Sequence, residues 1–120
     1  MEKIIMKQSE IWIVDLNPTI GAEIKKQRPA VIINDNNVGI LPLRIIVPLT
    51  DWKEHYKNVS WMVEIGADKQ TGLLKTSAID CFQIRCVSEK RLIKQIGQIN
   101  ETTFRKVQQA ILQLISVNIS

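Results

Sequence analysis

The sequence predicts an α+β domain in which a small antiparallel β-barrel is followed by one C-terminal helix. Between residues 11 and 87, short apolar runs rich in β-branched side chains alternate with turn signals, a pattern typical of strands. After residue 99 the apolar residues recur at the spacing of an amphipathic helix. Strands that precede a helix, rather than alternating with helices, favour an α+β fold. A chain of 120 residues is expected to form a single domain over residues 1–120.

The first three strands are predicted from apolar runs and from the positions of proline. Residues 11–14 are apolar on both faces, and residues 30–33 form a second apolar run. Residues 44–49 form a third, and Pro48 inside it predicts an edge or a bulge because proline cannot donate a ladder hydrogen bond. For the same reason Pro29 is expected at the first residue of the second strand.

The elements between the third strand and the C-terminal helix are predicted from alternation. Residues 59–65 alternate between apolar and polar side chains, which indicates a strand with one buried face. A shorter strand-like segment covers residues 73–79, and a clear strand covers residues 82–87. A second, shorter helix is predicted over residues 90–95. The chain therefore contains five or six strands by this pattern.

The C-terminal helix is predicted from one apolar stripe and its capping residues. Asn100 is a good N-cap, and Glu101 suits the positive end of the helix dipole in the first turn. Ile99 before the cap and Phe104 after it fit a hydrophobic staple. The apolar stripe consists of Phe104, Val107, Ile111, Leu114 and Ile115. This stripe is expected to pack on the barrel.

Charge and hydropathy restrict the class of protein. The net charge of +4 is mildly basic, so it permits binding to nucleic acid without requiring it. No apolar run approaches the roughly 18 residues of a membrane span, and the apolar residues near the N-terminus are too few for a signal peptide. We therefore expect no membrane association and a cytoplasmic location.

The cysteines and the single histidine argue against several kinds of site. Cys81 and Cys86 are five residues apart, and on a strand this odd spacing would point them to opposite faces, so no disulfide is expected between them. Both are interpreted as reduced packing residues. His55 is the only histidine, so a metal site would lack ligands and a pair of catalytic histidines is excluded within one chain. We expect no metal and no cofactor.

Candidate functional side chains lie at three predicted strand ends. A charged loop that starts at Gly21 leads into Arg28, and Pro29 biases this arginine toward an extended backbone beside the loop. Thr50 follows the third strand, and residues 75–77 carry a lysine, a threonine and a serine. Spacing alone does not establish whether these strand ends converge.

The ordered series of motifs resembles the MazF/PemK (Kid-like) toxins of bacterial toxin–antitoxin pairs, from about residue 10 to residue 115. The residues that carry the resemblance are Ile11-Trp12-Ile13-Val14-Asp15-Leu16-Asn17-Pro18, Gly21-Ala22-Glu23, Gln27-Arg28-Pro29-Ala30-Val31, Val47-Pro48-Leu49-Thr50, the segment from Gly72-Leu73 to Ser77, and Gln83-Ile84-Arg85. No single motif is specific to this family, but the order of the motifs and the distances between them along the sequence are.

The resemblance implies a fold, an activity and partners. The expected fold is an SH3-like β-barrel of five to seven strands with a C-terminal α-helix, assembled as a homodimer. The implied activity is sequence-specific, metal-independent cleavage of single-stranded RNA. The implied regulator is a cognate antitoxin whose acidic, disordered tail occupies the RNA groove.

The resemblance also implies roles for individual residues. Arg28 matches the arginine of the family's Arg-Pro motif, and Thr50 matches the threonine that closes the third strand. Glu23 is the nearest carboxylate in the sequence and is the predicted general base. Gln27 stands where some relatives carry histidine, so the proton donor is not identified. The predicted RNA-binding residues are Lys25, Lys26, Gln27, Lys75, Ser77, Gln83 and Arg85.

Two alternatives of other classes remain open. A CcdB-type gyrase poison shares the barrel architecture and performs no chemistry, but it acts through a C-terminal tail with a tryptophan, and this chain's tryptophans are Trp12, Trp52 and Trp61. An SH3-like interaction module would line its peptide groove with aromatic side chains, of which the chain has only six.

Overall fold

The computed structural model describes residues 5–38 and 41–116, so residues 1–4, 39–40 and 117–120 lie outside the described part. Within that part, the strands are β1 Glu10–Asp15, β2 Gln27–Ile32, β3 Leu43–Asp51, β4 Met62–Ile65, β5 Ser77–Asp80, β6 Arg85–Ser88 and β7 Leu92–Gln98. Short 3₁₀ helices cover Glu54–Asn58, Cys81–Gln83 and Glu89–Arg91, and the helix α1 covers Glu101–Leu114. The described residues hold no helix long and apolar enough to span a membrane.

The seven strands form one antiparallel sheet. Its order is β4-β5-β3-β2-β1-β7, and β6 pairs with β3 outside this path. The antiparallel sheet and the single C-terminal helix confirm the predicted α+β class. The strand order ends at β4 and β7, so closure into an SH3-like barrel stays a prediction.

Strand β3 is the centre of the sheet because it pairs with three strands. One edge pairs with β2, and the other pairs first with β6 over residues 43–46 and then with β5 over residues 49–51. Pro48 lies where the second edge changes partner. The missing N–H of proline is tolerated at such a position. The expected edge or bulge is therefore a change of partner within a buried strand.

Several predicted boundaries were wrong by a few residues. Strand β2 begins at Gln27, so Pro29 is its third residue and not its first. Proline is accommodated there because this part of β2 pairs with β1 alone; pairing with β3 begins at Ala30. Thr50 lies inside β3, which continues to Asp51.

The segment after residue 80 differs most from the prediction. The strand predicted over 82–87 begins only at Arg85, because residues Cys81–Gln83 form a 3₁₀ helix whose Phe82 N–H donates to the Asp80 carboxylate at 3.1 Å. The strands predicted over 59–65 and 73–79 begin later too, at Met62 and Ser77.

The helix predicted over residues 90–95 is wrong. Residues Glu89–Arg91 form one 3₁₀ turn, and Leu92–Gln98 form β7, which pairs with β1. Pairing with β7 covers the edge of β1, which would otherwise present unpaired N–H and C=O groups. This tertiary pairing decides the conformation of a segment with no strong periodicity of its own.

The period-two alternation of the strands divides the core between the two faces of the sheet. The core on the helix side consists of Ile11, Val31, Val47, Leu49, Val63, Ile65, Leu73, Ile79, Cys81, Ile99, Val107 and Ala110. The core on the opposite side consists of Trp12, Val14, Leu16, Ala30, Ile32, Ile46, Val87 and Leu92. Ile11, Trp12 and Val14 of β1 are therefore buried within one chain, whereas Ile13 is only partly buried.

The cysteines and the C-terminal helix follow the prediction in part. Cys81 and Cys86 are both free thiols, but only Cys81 is buried; Cys86 is exposed, so its predicted packing role is wrong.

Asn100 caps α1 by accepting from the Thr103 N–H at 2.8 Å, as predicted. Ile115 is 65% exposed and is not part of the buried stripe.

Two glycines allow the loop between β4 and β5 to contact β7 closely. A Cβ atom at Gly97 would collide with the Thr71 carbonyl group and with the Gln70 carbonyl oxygen, and one at Gly72 would collide with the Ile96 carbonyl. Gly72 also has a φ of +68°, which disfavours other residues. This contact positions the loop that carries Lys75.

Replacing Gly97 by alanine is therefore expected to destabilise the fold. The obstacle is backbone that cannot move away, so the free energy of unfolding should fall by roughly 2–3 kcal/mol, the upper range for overpacking. Urea denaturation measures this change. The control is Gly66→Ala, because nothing lies within 4 Å of a Cβ there and the effect should stay within about 0.5 kcal/mol. Equal stability of the two variants would contradict the assigned contact.

Candidate active site

The ends of β2, β3 and β5, the loop before β5 and the middle of β7 line a cleft of about 400 Å³, which we call the first cleft. Its polar lining residues are Arg28, Thr50, Asp51, Lys75, Ser77 and Lys94. Its apolar lining residues include Ile13, Pro29, Leu49, Leu73, Leu74 and Ile96. Four of the residues singled out in the sequence, Arg28, Thr50, Lys75 and Ser77, therefore come together in this cleft.

The register between β2 and β3 explains why Arg28 and Thr50 meet. Ala30 is opposite Pro48, and the pairing continues as Val31 with Val47. The same register extended by two residues places Arg28 opposite Thr50. Residues opposite each other on antiparallel strands project from the same face, and both side chains line the first cleft, partly buried.

An ion pair lies beside these two residues. The Lys75 Nζ atom is 3.1 Å from the Asp51 Oδ2 atom, and both side chains are more than half exposed. Such a pair contributes about 0–1 kcal/mol, so Lys75 can exchange its partner for a phosphate at little cost. The Ser77 hydroxyl donates to the Lys75 carbonyl at 3.0 Å and holds the backbone at this point.

Two residues of the first cleft were missed by the sequence analysis. Asp51 directly follows Thr50, and the alternation of a longer strand would have drawn attention to this end of β3. Lys94 was assigned to the short helix that the structure replaces with β7, so its position on the cleft depends on that correction.

A second cleft, of about 500 Å³, lies beyond β3 and takes the other predicted residues. Its lining consists of Ala22, Glu23, Ile24, Pro48, Phe82, Gln83, Ile84 and Arg85. The predicted base Glu23 is exposed there, and its carboxylate accepts from the Ile20 N–H at 2.7 Å. Lys25, Lys26 and Gln27 are exposed between Glu23 and Arg28. The structure thus places Glu23, Gln83 and Arg85 at the second cleft, whereas Lys25, Lys26 and Gln27 line neither cleft.

Gln83 and Arg85 make contacts that hold the loop between β1 and β2. The Gln83 side-chain oxygen accepts from the Ile24 N–H at 2.6 Å, and its amide nitrogen donates to the Ala22 carbonyl at 3.3 Å. Arg85 donates to the Leu16 carbonyl at 3.2 Å. Both side chains were predicted to contact RNA. In the free chain they connect this loop to the 3₁₀ helix Cys81–Gln83 and to β6.

Asp80 belongs to the same hydrogen-bond network because it bonds to Gln83. Its carboxylate is 5% exposed and accepts from the Phe82 N–H at 3.1 Å and from the Gln83 amide at 3.3 Å. Burial raises the pKa of Asp80 above its usual value, and these hydrogen bonds oppose the rise. The neighbouring Cys81 is also affected, since burial and the Asp80 charge raise the pKa of its thiol to about 12. Cys81 is therefore no nucleophile at neutral pH.

The single histidine lies outside both clefts. His55 is exposed in the 3₁₀ helix Glu54–Asn58, where its ring packs against Tyr56 with centroids 4.6 Å apart. In residues 5–38 and 41–116, no group of three or more His, Cys, Asp or Glu side chains is arranged to hold a metal ion.

Comparison with known proteins identifies relatives along nearly the whole chain. Residues 7–115 match the family of the PemK-like, MazF-like toxin of type II toxin–antitoxin systems. The endoribonuclease MazF9 of Mycobacterium tuberculosis is 29% identical over 113 residues, which covers 89% of this chain and 93% of that protein. The endoribonuclease EndoA of Bacillus subtilis is 31% identical over 108 residues, 89% of this chain and 91% of that protein.

Solved structures share the fold at low identity. MazF from Deinococcus radiodurans superimposes with a TM-score of 0.79 at 15% identity, covering 96% of this chain and 100% of that one. A MazE–MazF complex from the same organism gives 0.75 at 16% identity, covering 97% and 100%. The family match, the relatives and the shared fold together show that this chain belongs to the PemK-like, MazF-like toxins of type II toxin–antitoxin systems.

Proposed function

We propose that this chain is an endoribonuclease toxin that cleaves single-stranded RNA at the first cleft and that a cognate antitoxin neutralises it. The observation that carries the proposal is the position of Arg28 opposite Thr50 in this cleft. Relatives that span about nine-tenths of the chain are endoribonucleases. These relatives favour RNA cleavage over a non-catalytic gyrase poison or an SH3-like interaction module.

The proposed reaction uses the ribose 2′-OH of the RNA as nucleophile. Its oxygen attacks the adjacent phosphorus, the bond to the 5′ oxygen breaks, and the products are a 2′,3′-cyclic phosphate and a 5′-OH. DNA lacks the 2′-OH and is not cleaved. Negative charge accumulates on the phosphoryl oxygens in the transition state, so fixed donors there accelerate the reaction.

Arg28 and Thr50 supply those donors in the proposed mechanism. The guanidinium of Arg28 stays protonated at any ordinary pH and presents a planar set of N–H donors. It therefore stabilises charge but is a poor base. The Thr50 hydroxyl donates a hydrogen bond to a phosphoryl oxygen, and Lys75 holds a neighbouring phosphate after leaving Asp51.

The proton transfers involve residues outside this pair. Glu23 remains the proposed base, and it lies on the loop that leads into Arg28. In the free chain Glu23 lines the second cleft, and the carboxylate that borders the first cleft is Asp51. Glu23 therefore acts on the 2′-OH only after its side chain leaves the Ile20 N–H and turns toward Thr50.

The proposed partners are a second copy of the chain and an acidic antitoxin. The chain carries a net charge of +4, and Lys25, Lys26 and Lys75 are exposed beside the clefts. A disordered acidic segment would compete with RNA for such a surface. Trp12 and Val14 are buried within the chain and Ile13 is partly buried at the first cleft. The homodimer is therefore proposed on exposed apolar residues elsewhere, including Ile20, Leu74 and Ile115.

The first expected outcome is RNA cleavage that does not require a metal ion. Purified protein with a long single-stranded RNA should cleave it equally well with and without EDTA, because 2′-OH attack needs only protein donors and bases. The products should carry 5′-OH ends, which polynucleotide kinase labels directly. Complete inhibition by EDTA, or 5′-phosphate ends, would exclude this chemistry.

The second expected outcome concerns Arg28 and Thr50. Arg28→Ala should lower kcat by about 10²–10³-fold, the loss typical of one transition-state donor, with a much smaller effect on RNA binding. Thr50→Ala should cause a smaller but clear loss. Single-turnover cleavage and binding to a non-cleavable RNA separate the two effects. Arg105→Ala is a suitable control, since this arginine pairs with Glu101 on the exposed face of α1. Full activity of Arg28→Ala would overturn the assigned role.

The third expected outcome is a homodimer in solution. Light scattering at micromolar concentration should give about twice the chain mass of 13.7 kDa. An acidic antitoxin peptide should then inhibit RNA binding, and the inhibition should weaken as salt rises because charge attraction is screened. A monomer with undiminished RNA cleavage would contradict the need for a second copy.

A further inference from the structure

Phe82 has a large apolar side chain that is mostly exposed to solvent. It is 63% exposed and lies at the rim of the second cleft, in the 3₁₀ helix Cys81–Gln83. The side chain before it, Cys81, is fully buried, so the turn places one residue in the core and the next on the surface. Because the side chain is mostly exposed, core packing within the described chain does not explain why this position is aromatic.

The ring of Phe82 is held in place although most of its surface is free. It packs edge-to-face with Trp61, with centroids 5.4 Å apart and planes at 76°. Its backbone N–H donates to the buried Asp80 carboxylate at 3.1 Å. A fixed and exposed aromatic ring is the kind of surface on which unpaired bases stack.

The cleft beside Phe82 is already formed in the free chain. Gln83 joins its two walls, because its amide bonds to Ile24 and Ala22 on the loop side and to Asp80 on the other. A volume of about 500 Å³ suits a small planar ligand. The cleft therefore has its walls joined before any ligand binds.

The second cleft continues from the proposed cleavage site along one strand. Pro48 lines the second cleft and Thr50 lines the first. Two residues apart in β3, they project from the same face and are about 6–7 Å apart along the strand. An extended RNA strand spans such a distance in one nucleotide step. Arg85, at the far wall of the second cleft, adds positive charge.

We propose that the second cleft is a nucleobase subsite in which Phe82 stacks on the base of the nucleotide next to the cleaved phosphate, and that Phe82 positions this base for selection. This inference rests on the proposed endoribonuclease function. Stacking itself accepts any base, so selection comes from Arg85, which lines the same cleft and contacts the edge of the base that Phe82 holds.

The test compares three substitutions of Phe82 with one control. Phe82→Ala and Phe82→Leu should weaken binding of an RNA made non-cleavable by 2′-deoxy substitution at the attacked ribose, by about 5- to 100-fold, the value of one stacked base. Phe82→Tyr should restore binding because it keeps the ring. Val38→Ala is the control, since Val38 is 61% exposed in the loop between β2 and β3.

Sequencing the ends of cleaved RNA provides the second readout. Phe82→Leu should reduce base preference at one position next to the cut, while kcat at saturating RNA changes less than KM. Phe82→Leu keeps an apolar side chain, so it tests stacking even if Phe82→Ala destabilises the turn. Wild-type affinity and base preference in Phe82→Leu would overturn the subsite and leave the ribonuclease proposal intact. A dimer that dissociates in Phe82→Leu, with RNA affinity unchanged, would also overturn it by assigning Phe82 to the contact between chains.

Discussion

The antiparallel register between β2 and β3 is the constraint on which the site depends. It places Ala30 opposite Pro48 and, by extension, Arg28 opposite Thr50. Pro48 needs no ladder hydrogen bond because β3 changes partner from β6 to β5 beside it. A slip by one residue would turn every side chain of the strand to the other face. Both cores and both clefts would then be lost together.

Two residues after Asp80 have a structural role besides the RNA binding that the sequence analysis assigned to them. Gln83 and Arg85 bond to backbone atoms of the loop between β1 and β2, so their first effect is to hold this loop in place. These hydrogen bonds keep Glu23 at the second cleft in the free chain.

Local patterns predicted the elements whose own composition is decisive. The first three strands are dense in β-branched residues, and α1 has a cap, a charged first turn and a stripe of apolar residues, so each was placed within a few residues. Residues 92–98 contain one buried leucine and no regular period of apolar residues. They form a strand because they pair with the edge of β1. The turn at Cys81–Gln83 was missed because Asp80, a side chain just outside it, stabilises it.

The sequence by itself determined the family, the α+β class and the identity of Arg28 and Thr50 as the pair to examine, because these follow from ordered motifs and from local periodicity. Only the tertiary structure decided which side chains share a cleft. Arg28, Thr50, Lys75 and Ser77 meet at the first cleft, whereas Glu23, Gln83 and Arg85 border the second. The physical reason is that cleft membership depends on pairings among strands distant in the chain, and these depend on the burial of the whole sheet and not on any one segment.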